Sequence, residues 1–142
     1  MIPSWASRYV GIPFVSGGRE SSGCDCYGLI RLVLLEQFAC QLPLLALGYK
    51  NACDAAETGP LIQRYLPLLK GGQITKPAAG SVPLIRYRGR TSHVGIFVDD
   101  EYILHTLPKI GAHCVDAGHL FLRGAIEGIY CVDTDYSITQ SL

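Results

Sequence analysis

The hydrophobic pattern of this chain changes period once. From Cys26 onward the apolar residues Cys26, Leu29, Ile30, Val33, Leu34 and Phe38 recur at three- and four-residue spacing, with Arg31, Glu36 and Gln37 supplying most of the polar side. That pattern predicts an amphipathic helix with Cys26 on its apolar stripe, at the first turn. Asp25, just before it, has a carboxylate suited to capping the free N–H groups of that turn. Upstream, Ser4 to Val10 reads as a short opening helix with Ser4 as N-cap, ended by Gly11-Ile12-Pro13. Gln41-Leu42-Pro43 ends the Cys26 helix, and the apolar run to Tyr49 is either a buried loop or an interaction surface. A second helix starts at Asn51 or Asp54 and resumes beyond Gly59-Pro60. Leu61, Ile62, Tyr65, Leu66 and Leu69 form its apolar face, Pro67 bends or shortens it and Gly71-Gly72 closes it.

After Gly80 the signals are those of strands. Val82 to Tyr87 is the first, Arg88-Gly89-Arg90-Thr91 is a turn, and His93 to Val98 is the second. Tyr102 to His105, Ala112 to Val115 and Ile126 to Val132 complete the set. Helices followed by short strands and tight turns predict an α+β fold with a small antiparallel sheet. No repeat, low-complexity tract or linker interrupts the 142 residues, so residues 1–142 read as one domain with a real hydrophobic core.

Composition narrows the partners. Hydrophobic residues make up 49% and charged residues 17%, which argues against disorder. Twelve basic residues balance twelve acidic ones with no like-charge run, so the footprint of a nucleic-acid or polybasic membrane binder is missing. No apolar segment approaches the roughly 18 residues that span a bilayer. The start Met1-Ile2-Pro3-Ser4-Trp5 has no basic region followed by an apolar stretch. Synthesis in a reducing cytoplasm, with the six cysteines unpaired, is therefore the expectation.

The candidate chemistry sits where loop becomes helix. A glycine-rich approach, Gly17-Gly18-Arg19-Glu20-Ser21-Ser22, leads to Gly23-Cys24-Asp25-Cys26-Tyr27-Gly28-Leu29. A thiolate, not a thiol, is the nucleophile, and the positive end of a helix dipole favours the anion. The competing reading is a small buried hydrophobe, the usual state of a cysteine on an apolar stripe. Cys40, Cys53, Cys114 and Cys131, which have no motif around them, are read as core or semi-exposed thiols.

His93 and His105 supply what a nucleophilic cysteine needs. Alternation puts His93, Gly95 and Phe97 on one strand face. A three-residue loop of Asp99-Asp100-Glu101 then sets His105 opposite Gly95 and diagonal to His93, about 7–8 Å away at Cα. Gly95 leaves room between the rings. His93 is assigned as base and acid, and His105 as the group that orients it. His113 and His119 read as loop histidines without a role. Cys24-x-Cys26 with His93 and His105 would supply four ligands in principle, but structural zinc sites pair cysteines two to four residues apart and a second such pair is missing, so neither metal nor cofactor is expected.

These motifs together resemble the NlpC-type, papain-like cysteine peptidases that cut bacterial cell-wall peptides. The matching stretches are Trp5, Tyr9-Val10-Gly11-Ile12-Pro13-Phe14, Gly17-Gly18-Arg19, Gly23-x-Asp25-Cys26-x-Gly28-Leu29, Arg31-Leu32-Val33 and Leu42-Pro43. His93-Val94-Gly95-Ile96-Phe97-Val98 and Ile103-Leu104-His105 follow in the right order. The resemblance implies a papain-like α+β fold in which N-terminal helices, including the nucleophile helix, pack on the sheet. It carries the nucleophile over to Cys26, the base to His93 and the third catalytic group to His105. Phe14, Asp25, Tyr27, Gly28 and Ser92 are the expected substrate-binding positions, and Asp25 and Gly28 also belong to the motif that shapes the nucleophile turn. The implied substrate is the peptidoglycan stem peptide, cut between D-γ-glutamate and a diamino acid.

The departures are Tyr27 where many members carry Ser, Phe14 where a Tyr is common, and Gly80-Ser81-Val82 in place of Gly-Asp-Leu. An aromatic at position 27 favours the branch associated with phage tails, which implies tail proteins as partners and a virion-borne enzyme acting at the cell wall. A tail component with little turnover, or another thiol chemistry such as acyl transfer or deamidation on the same fold, are the alternatives.

Overall fold

The computed structural model describes residues 2–42, 72–119 and 124–131. The chain opens with a 3-10 helix, Ser4–Arg8, preceded by Pro3 in an extended conformation. Ser4 is thus the first helical residue and not the cap; its carbonyl accepts from Ser7 Oγ at 2.8 Å. The glycine-rich approach forms a short ribbon, β1 (Arg19–Glu20) with β2 (Gly23–Cys24). Helix α1 follows at Cys26–Phe38, as the periodicity predicts. It ends earlier than Gln41-Leu42-Pro43, because Ala39 turns into the left-handed region (φ 52°) and the Cys40 N–H donates to the Leu34 carbonyl at 3.0 Å. The expected second helix lies outside the described residues, and Gly72, expected at its end, opens strand β3 (Gly72–Ile74).

The remaining strands are β4 (Val82–Tyr87), β5 (Arg90–Val94), β6 (Ile96–Phe97), β7 (Tyr102–Leu107), β8 (Gly111–Asp116) and β9 (Ile126–Cys131). Their arrangement differs from one small sheet. A four-stranded sheet runs β3-β9-β4-β5 and a three-stranded sheet runs β6-β7-β8, with every pair antiparallel. The stretch expected as one strand, His93 to Val98, divides at Gly95. Its first part pairs with β4 and its second with β7, so this segment joins the two sheets.

The apolar stripe of α1 explains the docking. Leu29, Ile30, Val33 and Leu34 are fully buried against Val82, Val94, Ile96 and Leu104. Each such side chain contributes roughly 1.5–3 kcal/mol by leaving water. The opposite face of the sheets holds a smaller cluster of Ile85, Phe97, Ile103 and Ala125. The polar side of α1 is tied down as well: buried Tyr9 donates its hydroxyl to Glu36 at 2.7 Å and accepts from Gln37 Nε2 at 3.0 Å. Among the described residues, no helix is long and apolar enough to cross a membrane.

Candidate active site

Cys26 is the first residue of α1, and the residues before it hold that turn in place. Asp25, the N-cap, is fully buried and accepts from Gly28 N–H at 2.8 Å and Gly17 N–H at 2.8 Å. Arg19 Nη1 donates to the same carboxylate at 2.9 Å and to the Gly18 carbonyl at 2.9 Å. An ionised carboxylate without partners would be costly to bury, and here it has an arginine and two backbone donors. Gly28 is required by contact: a Cβ there would stand 1.9 Å from the Gly18 carbonyl oxygen. The ribbon therefore lies directly on the first turn of α1, and the arginine that pairs with Asp25 also stacks over Tyr27, 5.3 Å from its ring centre.

The imidazoles come from the two sheets. β4 and β5 shift register between Ile85↔His93 and Arg86↔Thr91, which leaves Ser92 as an extra residue on β5. Such a bulge bends a strand and re-aims the adjacent side chain, here His93. On the other side, β6 and β7 pair Ile96↔Leu104 and Phe97↔Ile103 around the three-residue loop 99–101. That register sets His105 opposite Gly95, and His93 Nε2 lies 3.0 Å from His105 Nδ1. A Cβ at Gly95 would meet His105 Cβ at 3.2 Å and Ile103 Cγ2 at 2.7 Å, so close approach of the strands depends on glycine.

Cys26, His93, Ser92 and Phe14 line one cavity of about 360 Å³, together with Tyr87, Arg88, Thr106, Leu107, Pro108 and Lys109. His105 stands behind His93 and not in the lining. Burial and the nearby Asp25 charge push the Cys26 thiol up to about 12, against the opposing pull of the Val94 and Tyr27 backbone N–H groups. Burial, with the neighbouring His113, pushes His93 down to about 4. Burial and its two histidine neighbours push His105 down to about 3. At neutral pH the resting site therefore holds a thiol and neutral imidazoles.

Among known proteins, the sequence signature of the NlpC/P60 family matches residues 11–119, well over half of the chain. The chain belongs to the NlpC/P60 family. The fold of this NlpC/P60 domain is similar to that of the NlpC/p60 domain of the peptidoglycan hydrolase SagA, with a TM-score of 0.57 and 22% identity. That match covers 89% of this chain and 92% of the other. A lipoprotein-like NLP/P60 family protein of Staphylococcus aureus gives a TM-score of 0.58 at 21% identity, covering 89% of this chain and 38% of that one. An NlpC/P60 family protein of Bacillus cereus gives 0.56 at 12% identity, covering 89% and 37%. The chain thus spans well under half of the last two. A sequence comparison with curated proteins returned no match. The papain-like α+β expectation agrees with these neighbours, and membership in the family is consistent with a peptidoglycan hydrolase.

Within this NlpC/P60 domain the expected site residues separate into two groups. Cys26, His93, Phe14 and Ser92 meet at the cavity, with His105 hydrogen-bonded behind His93. Asp25, Tyr27 and Gly28, expected to touch substrate, do not line it; they build the turn beneath Cys26. His113 is the residue that sequence reasoning missed. It lies on β8 directly across from His105, with ring centres 4.5 Å apart, and not in a loop. Its Nδ1 lies 2.9 Å from the Gly111 carbonyl oxygen. Among the described residues no three His, Cys, Asp or Glu side chains are grouped as metal ligands.

Proposed function

We propose that this protein is a cysteine endopeptidase that hydrolyses the bond between D-γ-glutamate and a diamino acid in peptidoglycan stem peptides. The observation that carries the reading is the shared cavity of Cys26 and His93, with His105 bonded to the nitrogen of His93 that the cysteine does not need. Family membership supports the substrate class.

The chemistry follows from these groups. With Nε2 of His93 engaged by His105, Nδ1 is the nitrogen left to accept the Cys26 proton. That role requires His93 to carry hydrogen on Nε2 and donate it to His105 Nδ1, so His105 fixes both tautomer and ring orientation. Because the thiol and imidazole rest neutral, proton transfer accompanies attack of sulfur on the peptide carbonyl. Charge developing on the carbonyl oxygen would be met by backbone N–H groups at the start of α1. His93 then gives the proton to the leaving amine. The amine departs, and water hydrolyses the thioester to the free acid and the thiol.

Delivery by a phage tail particle is part of the proposal, supported by the aromatic Tyr27 after the nucleophile. The test of the catalytic reading is a defined muropeptide carrying the D-γ-glutamyl-diaminopimelate bond, incubated with wild type and Cys26→Ala and read by mass spectrometry. Cleavage of that one bond by wild type alone supports the proposal. Cleavage by both proteins removes Cys26 as nucleophile, and cleavage by neither favours the non-hydrolytic tail component.

A further inference from the structure

The cavity that holds Cys26 has an uneven charge. Among the described residues its only charged lining residues are Arg88 and Lys109, both cations, although the chain as a whole is neutral. They come from different hairpins. Arg88 sits in the β4–β5 turn and Lys109 in the β7–β8 turn, so the two sheets each contribute one cation to the same opening. Among the described residues neither has an ion-pair partner, whereas Arg86 on the same hairpin as Arg88 pairs with Glu127 at 3.0 Å.

Both cations stand where a long side chain is unfavourable. Arg88 has φ 52° and is followed by Gly89 at φ 80°, which is the two-residue hairpin turn with two positive φ values. Asn or Gly is the usual first residue there. Lys109 has φ 70° in the turn led by Pro108 and closed by Ile110 N–H to the Leu107 carbonyl at 3.2 Å. That third turn position also favours Gly or Asn. A cation at each strained position points to use of its charge. The placement of Arg88 is further set by Tyr87: the guanidinium lies 5.4 Å from the Tyr87 ring centre, and that ring is 5.7 Å from His93.

We infer that Arg88 and Lys109 form an anion subsite that binds carboxylates of the substrate on either side of the scissile bond, making the enzyme selective for stem peptides whose carboxylates are free over those in which they are amidated. This rests on the peptidase reading for its substrate. A γ-linked glutamate keeps its α-carboxylate, and a diamino dicarboxylic acid keeps a second one, so each side of the bond can offer one anion. Amidation replaces that anion by a neutral group of nearly the same shape. Thr106 lies in the same lining, and its buried Oγ1 has no hydrogen-bond partner among the described residues, which leaves a polar contact for the incoming peptide.

The test has two arms. The first needs no peptidase activity: alkylation of Cys26 by iodoacetate and by its neutral counterpart iodoacetamide, followed by peptide mapping. Arg88→Asn and Lys109→Asn suit the positive φ at each turn and so keep the fold, and Arg90→Gln, outside the cavity lining, controls for net charge. The iodoacetate-to-iodoacetamide rate ratio is expected to fall about 3- to 10-fold in the double Asn variant, to hold in Arg90→Gln, and to shrink in wild type at high salt. The second arm compares kcat/KM for carboxylate and amidated muropeptides. Wild type should favour the carboxylate about tenfold, and the double variant should lose that preference. An unchanged alkylation ratio, or a wild-type enzyme that cuts both peptides equally, overturns the inference. A changed ratio with no peptide cut leaves the anion subsite standing and removes the peptidase reading instead.

Discussion

His93 and His105 approach to 3.0 Å between Nε2 and Nδ1 although they belong to different sheets. The bond exists because one segment leaves the first sheet and enters the second at Gly95, which places His93 in β5 and His105 across from the glycine in β7. His105 engages Nε2 of His93 and so leaves Nδ1 as the nitrogen for the chemistry.

The role of His105 can be separated from mere packing. His105→Ala should lower kcat by at least ~10²-fold with little change in KM, because orientation of the base matters in the transition state and not in binding. His105→Asn, which can still accept from His93, should recover part of the loss. Steady-state kinetics of both variants decide this, and a kinetically silent His105→Ala would remove the residue from the site.

Gly95 should be as sensitive as a catalytic residue without being one. Gly95→Ala would bring a Cβ to 2.7 Å from Ile103 Cγ2 and 3.0 Å from the Leu104 carbonyl oxygen, forcing β6 away from β7. The expected cost is about 1–3 kcal/mol of stability. Hydrolysis should fall further than that loss explains, since the same shift lengthens the histidine bond. Denaturant unfolding and turnover measured on the same preparation show whether the two effects part.

How much of this was legible in the sequence depended on range. The Cys26 helix and its Asp25 cap were readable, because periodicity and capping are local. The placement of His105 opposite Gly95 was readable too, since an odd loop fixes strand parity. The division of the strand at Gly95 was not, because it is decided by which distant strands supply partners. His113 was missed for want of one step. Leu107 pairs with Gly111, so the loop 108–110 also has three residues, and the same parity argument sets His113 opposite His105. Asp25 and Gly28 were recognisable as shaping the nucleophile turn, but that they and Tyr27 stay out of the cavity lining is decided by the packing of Gly18 and Arg19 on that turn.

That support is testable. Arg19 and Asp25 form an ion pair with side chains 8% and 0% exposed. Removing one partner of a buried pair leaves the other charge uncompensated, which typically costs about 3–5 kcal/mol. Arg19→Gln should therefore lower the denaturation midpoint strongly. The double variant Arg19→Met with Asp25→Asn should be less damaging than the sum of its parts, since no lone charge remains. Additive losses would mean that the pair is not coupled.

The alkylation of Cys26 reports its resting state. With the thiol pushed up to about 12, the rate of reaction with iodoacetamide should keep rising through pH 9 and show no plateau near neutrality. A plateau below pH 7 would mean a thiolate already paired with a charged imidazole. Cys24, held up to about 11 by burial and by Asp25, donates its thiol to the Glu20 carbonyl at 3.0 Å. Peptide mapping distinguishes the two cysteines.

Acid should destabilise the fold through the same histidines. His93 is lowered to about 4 and His105 to about 3 by burial, from an ordinary value near 6.5. Between these limits the unfolded chain binds protons that the folded one refuses, so stability rises with pH across that window and falls as pH drops from about 6.5 toward 4. The combined loss is on the order of a few kcal/mol, since each tenfold loss of proton affinity corresponds to about 1.4 kcal/mol and the two rings do not titrate independently. Denaturant unfolding at pH 7.5 and pH 5 would show the drop in wild type. His93→Gln should lessen it, because a neutral amide binds no proton in either state. An equal slope in both proteins would mean that His93 keeps its ordinary proton affinity in the native fold and contributes nothing to the acid loss.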